Sequence, residues 1–285
     1  MTQPAIAPVL FDRRLLALRQ LRAARAPETF LLDRVAEDIE DRLAAVNRSF
    51  TAAADVWTPG AGLTPYLAGR LPGLAHIAAP GTADETLPLA PQSLDLALSA
   101  LALQFVNDLP GLLVQIRRAL GPDGLLLAAM IGGDTLTELR QSFAAAEAEI
   151  EGGVSPRVAP LADLRDIGGL LQRAGFALPV TDVDRVVVRY ASAFGLMQDL
   201  RRMGATNSLV ERRRTPLRRA TLLRMAAIYA ERFADPDGRI RATFDIIWIS
   251  GWAPHESQQK PLKPGSATAS LETAVKRVPH SNEGD

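Results

Sequence analysis

The residues best placed to do chemistry lie in Asp55-Val56-Trp57-Thr58-Pro59-Gly60-Ala61-Gly62. An acidic side chain closing an apolar run, then glycines, then a helix is the layout of a nucleotide-binding strand–turn–helix. Glycine lets the backbone approach a ligand, and the helix start presents unpaired N–H groups. A dinucleotide fingerprint has the form G-x-G-x-x-G. Here Gly60 and Gly62 supply only a G-x-G, which an ordinary turn also uses. A second group, Ser99, Gln104 and Asn107, follows the next strong strand, at the carboxyl edge where open α/β sheets hold ligands. The run Asn107-Asp108-Leu109-Pro110 reads equally as a capped helix start. A third stretch, Gly132–Arg140, puts Asp134 and Arg140 at the mouth of the same cleft, or makes Asp134 or Thr135 a plain helix cap.

Other chemistries find little support. The chain has no cysteine, which excludes disulfides, zinc fingers, iron–sulfur ligation and thiol nucleophiles. Its three histidines are His76, His255 and His280. His255-Glu256 is not H-E-x-x-H, because Gln259 stands in the last place, so no metal site is expected. No G-x-S-x-G, P-loop or paired-carboxylate pattern is present, and no catalytic residue is assigned.

These candidates need strands and helices to position them. Two helices open the chain, Phe11–Ala26 and Phe30–Arg48, the second with Leu31, Val35, Ile39 and Leu43 at helical spacing. Strands are expected at Ala52–Trp57, Leu74–Ala78, Leu94–Ala100, Leu125–Ile131, Asp184–Tyr190 and Ile240–Trp252. Helices are expected at Thr64–Arg70, Pro110–Leu120, Asp134–Ile150, Leu161–Arg173, Ala193–Met203 and Arg218–Arg232. Gly121-Pro122-Asp123-Gly124 reads as a turn. Alternating strands and helices imply an α/β fold with a mostly parallel sheet covered on both faces. The expected organisation is an N-terminal helical part (1–50), an α/β domain (51–253) and a flexible tail (254–285) rich in Pro, Gly, Ser, Lys and Gln.

The 285 residues are 47% hydrophobic, with 32 basic and 32 acidic side chains. That composition buries a core, and a net charge of zero argues against a nucleic-acid partner. Of the basic residues only Lys260, Lys263 and Lys276 are lysines, which reads as a GC-rich genome rather than phosphate binding. No apolar run is long enough for a transmembrane segment, and Pro4 and Pro8 stand where a secretory signal would begin, so a cytoplasmic protein is expected.

At Leu10-Phe11-Asp12-Arg13-Arg14, Gln104–Pro110 and Gly132–Arg140, the sequence resembles the class I S-adenosylmethionine (SAM) methyltransferase-like proteins. Within them it is similar to the complex I assembly factors that hydroxylate an arginine of a core subunit. More distantly it resembles the malonyl-acyl-carrier-protein methyltransferases of biotin synthesis. Further matching segments include Arg173-Ala174-Gly175-Phe176, Met197–Gly204, Gly251-Trp252 and Gly265-Ser266-Ala267-Thr268. The resemblance implies a Rossmann-like class I methyltransferase fold whose last strand is antiparallel. It implies SAM across Asp55, Gly60, Gly62, Asp84 and Ser99. Gln104, Asn107, Asp134 and Arg140 would face a protein substrate, a complex I subunit. It also implies a bacterial member, with no presequence before residue 10, reaching the inner membrane through its partner.

The departures from the family bear on the cofactor. Trp57 and Pro59 interrupt the D-x-G-x-G-x-G turn. No acid stands near Ala78-Ala79, where the family's ribose-binding carboxylate closes the second strand. Gln104 replaces a histidine. The stretch Leu63–Leu94 holds a helix, one strand and a turn, so the region between the family's second and third strands is shortened. A carboxylate's hydrogen bonds are worth ~1.5–3 kcal/mol each, so SAM affinity should be weakened at least tenfold. The functions implied are a SAM-dependent enzyme of this superfamily, or a non-catalytic assembly factor that has lost the cofactor.

Overall fold

The structure is a computed structural model that describes residues 9–82 and 84–258. The expected tail beyond Gln258, with Gly265–Thr268 and His280, lies outside the described residues. A main unit ends at Pro254 and a second begins at His255. In the second, His255 Nδ1 lies 2.6 Å from Ser257 Oγ.

The helical preamble is α1 (Arg13–Ala23) and α2 (Phe30–Ala45). Asp12 caps α1, its carboxylate accepting the Leu15 N–H at 3.0 Å. The buried stripe of α2 is Leu31, Val35, Ala36, Ile39 and Leu43, as its periodicity requires. Both helices stop short of the expected ends. The preamble then leads into β1 (Ala53–Val56), α3 (Thr64–Leu67), β2 (Ala75–Ile77), β3 (Leu94–Ala100), α4 (Leu109–Ala119) and β4 (Leu120–Gly132). The second half contributes α5 (Thr137–Glu151), α6 (Leu164–Arg173), β5 (Ala177–Tyr190), α7 (Ala193–Arg202), α8 (Arg219–Phe233) and β6 (Ile240–Trp252).

The sheet runs β2-β1-β3-β4-β6-β5. The first four strands are mutually parallel, and β6 is antiparallel to both its neighbours. Alternation along β3 sends Ala97 to one face, with Leu112 and Ile116 of α4 and Ile167 and Leu171 of α6. It sends Leu96 and Leu98 to the other, with Val35 and Ile39 of α2 and Leu67 of α3. The outer ends of β5 and β6 pack under α5, α7 and α8 around Phe143, Leu196, Tyr229 and Phe244.

The structure corrects three expectations. Gly121–Gly124 is not a turn but part of β4, where the register against β3 slips between Leu94↔Leu120 and Leu96↔Leu125. The extra residues are taken up as a bulge in which Asp123 sits at φ 59°. Helix α5 starts at Thr137, with Leu136 in the left-handed region before it. Asp134 and Thr135 are thereby spent on the loop rather than on capping. Strand β5 begins seven residues before Asp184, because it is an edge strand with one face outward. Polar Thr181 and Asp182 therefore belong to it, and Pro179 is tolerated at its irregular start. The shortening is as expected: β2 is the sheet's edge, and residues 78–82 and 84–93 form neither helix nor strand.

Candidate functional site

Asp55, the last residue but one of β1, is fully buried, and its carboxylate is spent on the chain itself. One oxygen accepts the Thr58 hydroxyl. The other accepts the Leu63 N–H at 2.8 Å and meets His76 Nδ1 at 2.9 Å, from the residue paired with it across β2. This clasp closes the loop 55–63 and requires Gly62, whose φ is 69° and where a Cβ would collide with the Asp55 carboxylate and the His76 ring. Gly60, at φ 71°, has open space where its Cβ would be. Ser99 Oγ donates to the Val56 carbonyl at 2.8 Å, locking β3 to β1.

Trp57 occupies the middle of the turn. Its φ of 65° is left-handed, a conformation that costs a residue with a Cβ ~1–2 kcal/mol. Its side chain is 2% exposed, in one apolar cluster with Leu87, Ala102, Leu103 and Val106. The guanidinium of Arg13, at the start of α1, lies 5.1 Å from the indole centroid. Arg13 donates to the Phe105 carbonyl at 3.0 Å, and its Nε stands 3.6 Å from Glu85. Burial pulls the Arg13 pKa below its ordinary value, against the opposing pull of Glu85. The Glu85 carboxylate in turn accepts the N–H groups of Asn107 and Asp108. The sequence marked Trp57 as an irregularity and Arg13 only as part of a segment resembling the family, without a role, since a basic residue in a basic helix carries no positional signal.

The other candidates are dispersed. Asp84 is exposed and accepts from the Thr86 N–H and hydroxyl at 3.0 and 2.6 Å. Asn107 is a latch: its Oδ1 accepts the Leu10 and Phe11 N–H groups, and its Nδ2 donates to the Phe11 carbonyl. Asp134 takes a hydrogen bond from Arg185 at 2.7 Å, and Arg140 donates to the Thr135 carbonyl. Gln104 donates to the Leu101 carbonyl at 2.6 Å and lines a cavity of about 590 Å³. That cavity opens at the carboxyl ends of β3 and β4, between the preamble, α5 and α7. Pro59 and Gly60 form part of its wall, while Asp134, Arg140 and Asn107 are absent from it among the described residues. No group of three or more His, Asp or Glu stands where it could hold a metal ion among the described residues.

A family model described as "Methyltransferase domain" matches residues 70–128. The human protein named "Arginine-hydroxylase NDUFAF5, mitochondrial" is 38% identical over 284 residues, spanning 92% of this chain and 82% of that protein. The chain belongs to the class I SAM methyltransferase-like family that includes NDUFAF5. A malonyl-[acyl-carrier protein] O-methyltransferase of Laribacter hongkongensis is 40% identical over 181 residues, 64% of this chain and 58% of the relative. Among solved structures, the YcgJ protein of Bacillus subtilis matches with a TM-score of 0.51 at 13% identity, over 78% of this chain and 99% of that one. That likeness shows the shared fold alone, which the family membership makes the class I methyltransferase fold.

Membership makes SAM the group to test against the turn. A nucleoside there needs a free acceptor for its ribose hydroxyls and a slot for its base. Strand β2 ends in Ile77, followed by Ala78 and Ala79, which offer no side-chain acceptor. The Asp55 carboxylate is already fully engaged, and the apolar space between β1, β3 and Leu87 holds the indole of Trp57. The residues present do not fit SAM held across this turn.

Proposed function

We propose that this chain works in the assembly of respiratory complex I, binding a protein of that complex through the methyltransferase fold without holding SAM across its glycine turn. The likeness to NDUFAF5 supports the link to complex I. The burial of Trp57 beneath Arg13 in the turn carries the second half of the reading. Asp55 and Gly62 then serve as the structural clasp of the loop, Ser99 ties β3 to β1, Gly60 is a left-handed turn residue, and Asp84 is a local cap. Gln104 alone of the substrate-side candidates faces the cavity.

Isothermal titration of the purified protein with SAM tests the cofactor half, with no heat expected up to millimolar SAM. Deleting the gene tests the partner half, by a loss of assembled complex I that a Gly60→Ala variant restores. Unchanged respiration in the deletion strain refutes the assembly role.

One observation favours a SAM-dependent enzyme instead. Pro59 and Gly60 share the cavity wall with Gln104, so the methionine end of a cofactor would have an approach that its nucleoside lacks. Micromolar SAM binding, lost on Gly60→Arg, decides for that reading.

A further inference from the structure

The cavity has a chemical character of its own. Its volume, about 590 Å³, falls within the ~300–1,000 Å³ of small-molecule sites and far exceeds a lone inorganic anion. Leu31, Leu139, Phe143, Met197, Leu200 and Phe244 give it an apolar body. The ionised lining is one-sided: Arg19, Arg157, Arg201 and Arg202 against Glu28 as the single acid among the described lining residues. Glu28 is itself bound to Arg202 at 3.0 Å, and Arg157 to the buried Glu147.

Arg19 is different. It is half-buried, with no ion pair among the described residues, and its guanidinium donates to the Asn207 carbonyl. The next residue, Ser208, lines the same cavity at 2% exposure, and its Oγ has no hydrogen-bond partner among the described residues. A buried hydroxyl without a partner, one residue from the carbonyl that holds a cation with no ion pair among the described residues, at the edge of an apolar chamber, is a costly arrangement unless a ligand completes it. Burial and the neighbouring Arg212 and Arg22 lower the Arg19 pKa against the opposing pull of Asp12, and an incoming anion would raise it.

We infer that this cavity binds an amphipathic anion, an apolar chain whose carboxylate or phosphate sits at Arg19 and Ser208. The guanidinium supplies paired N–H donors to the head group, the Ser208 hydroxyl a further one, and the leucines and phenylalanines enclose the chain. The inference rests on the cavity being the working site of the proposed function. It does not depend on SAM, so the SAM titration above and the experiment below fail separately.

Dodecanoate, dodecyl phosphate, dodecanol and dodecyltrimethylammonium, each below its micellar concentration, are titrated into the full chain by calorimetry. At least one of the two anions is expected to bind one-to-one, at least tenfold tighter than dodecanol and the cation. A preference for dodecanoate identifies an acyl carboxylate head, and a preference for dodecyl phosphate a phosphate head. Arg19→Gln is expected to weaken the anion at least tenfold while leaving dodecanol unchanged, and Ser208→Ala to weaken it two- to fivefold. Leu139→Trp, which fills the chamber without touching a charge, is expected to abolish binding of every probe at an unchanged far-UV spectrum. Absence of binding by both anions, equal affinity for dodecanol, or indifference to Arg19→Gln overturns the inference. Should Arg19→Gln fail to fold, the order of the four probes on the unmodified chain decides it.

Discussion

Replacing Trp57 separates two effects that the structure places at one residue. Truncating a buried tryptophan to alanine costs ~3–5 kcal/mol, here including the loss of the Arg13 stacking. Alanine keeps a Cβ, so at φ 65° it retains the ~1–2 kcal/mol penalty of the left-handed backbone. Glycine does not, so Trp57→Gly should cost only ~2–4 kcal/mol. The smaller side chain should thus give the more stable variant by ~1 kcal/mol, the reverse of the usual order of alanine and glycine. Urea denaturation followed by circular dichroism measures both. The same vacated space should admit a nucleoside, so SAM affinity should rise at least tenfold in Trp57→Gly over the unmodified chain. Trp57→Ala at least as stable as Trp57→Gly would refute the strain assignment. SAM binding the unmodified chain as tightly as the glycine variant would refute the plugged turn.

Other perturbations probe the supports around the site. Gly62→Ala forces a Cβ onto the Asp55 clasp and should lower stability by more than ~2 kcal/mol, read as a falling urea midpoint. Arg157→Met removes the cation from buried Glu147 and should cost ~3 kcal/mol, seen as a drop in Tm at pH 7 that narrows at pH 4. Glu147 and Asp245 define the acid limb. Burial alone would raise each, but it is outweighed at Glu147 by Ser155 and Arg157, and at Asp245 by Arg185 and the Asp134 N–H. Both folded values are depressed, so their stabilisation is present above the unfolded value of ~4 and lost as pH falls below it. Glu147→Gln should flatten the fall in Tm between about pH 4 and pH 2.

The parallel half of the sheet was legible because its strands are short apolar runs separated by helices of regular period. Leu94–Ala100 matches its expected ends residue for residue, and so, in the antiparallel half, does Ile240–Trp252. The Gly121–Gly124 segment was misread because turn chemistry and bulge chemistry use the same residues. Only the β3 partner, which holds Leu94 against Leu120, tells them apart. Of the candidate site, the glycine turn was located, yet its contents were not. Whether Asp55 faces a ligand or its own loop depends on His76, twenty-one positions away across a strand pair. The cavity was legible only in part, through Gly60 and Gln104, which line it, while its charged rim was not. Arg19 and Ser208 are far apart in sequence, on segments without a motif, and meet through the Asn207 carbonyl.

The closed turn and the missing strand are physically one feature. With no strand beyond β2 among the described residues, the coil at 78–82 and 84–93 covers the end of β1 and β3, and buried coil needs partners for its backbone. Gln115 of α4 supplies two, accepting the Leu87 N–H at 2.8 Å and donating to the Glu85 carbonyl at 3.2 Å. Glu85 then accepts the N–H groups of Asn107 and Asp108 just before α4, and its charge is answered by Arg13. Among its described residues such a coil presents one buried apolar side chain, Leu87, where a strand and helix would present several. The indole of Trp57 fills the volume that remains. It follows that Trp57 is part of the core rather than a lid: opening the turn requires Leu87, Glu85 and Arg13 to move together. A ligand would therefore have to supply more than the ~3–5 kcal/mol that burial of the indole provides before it could enter by displacing it.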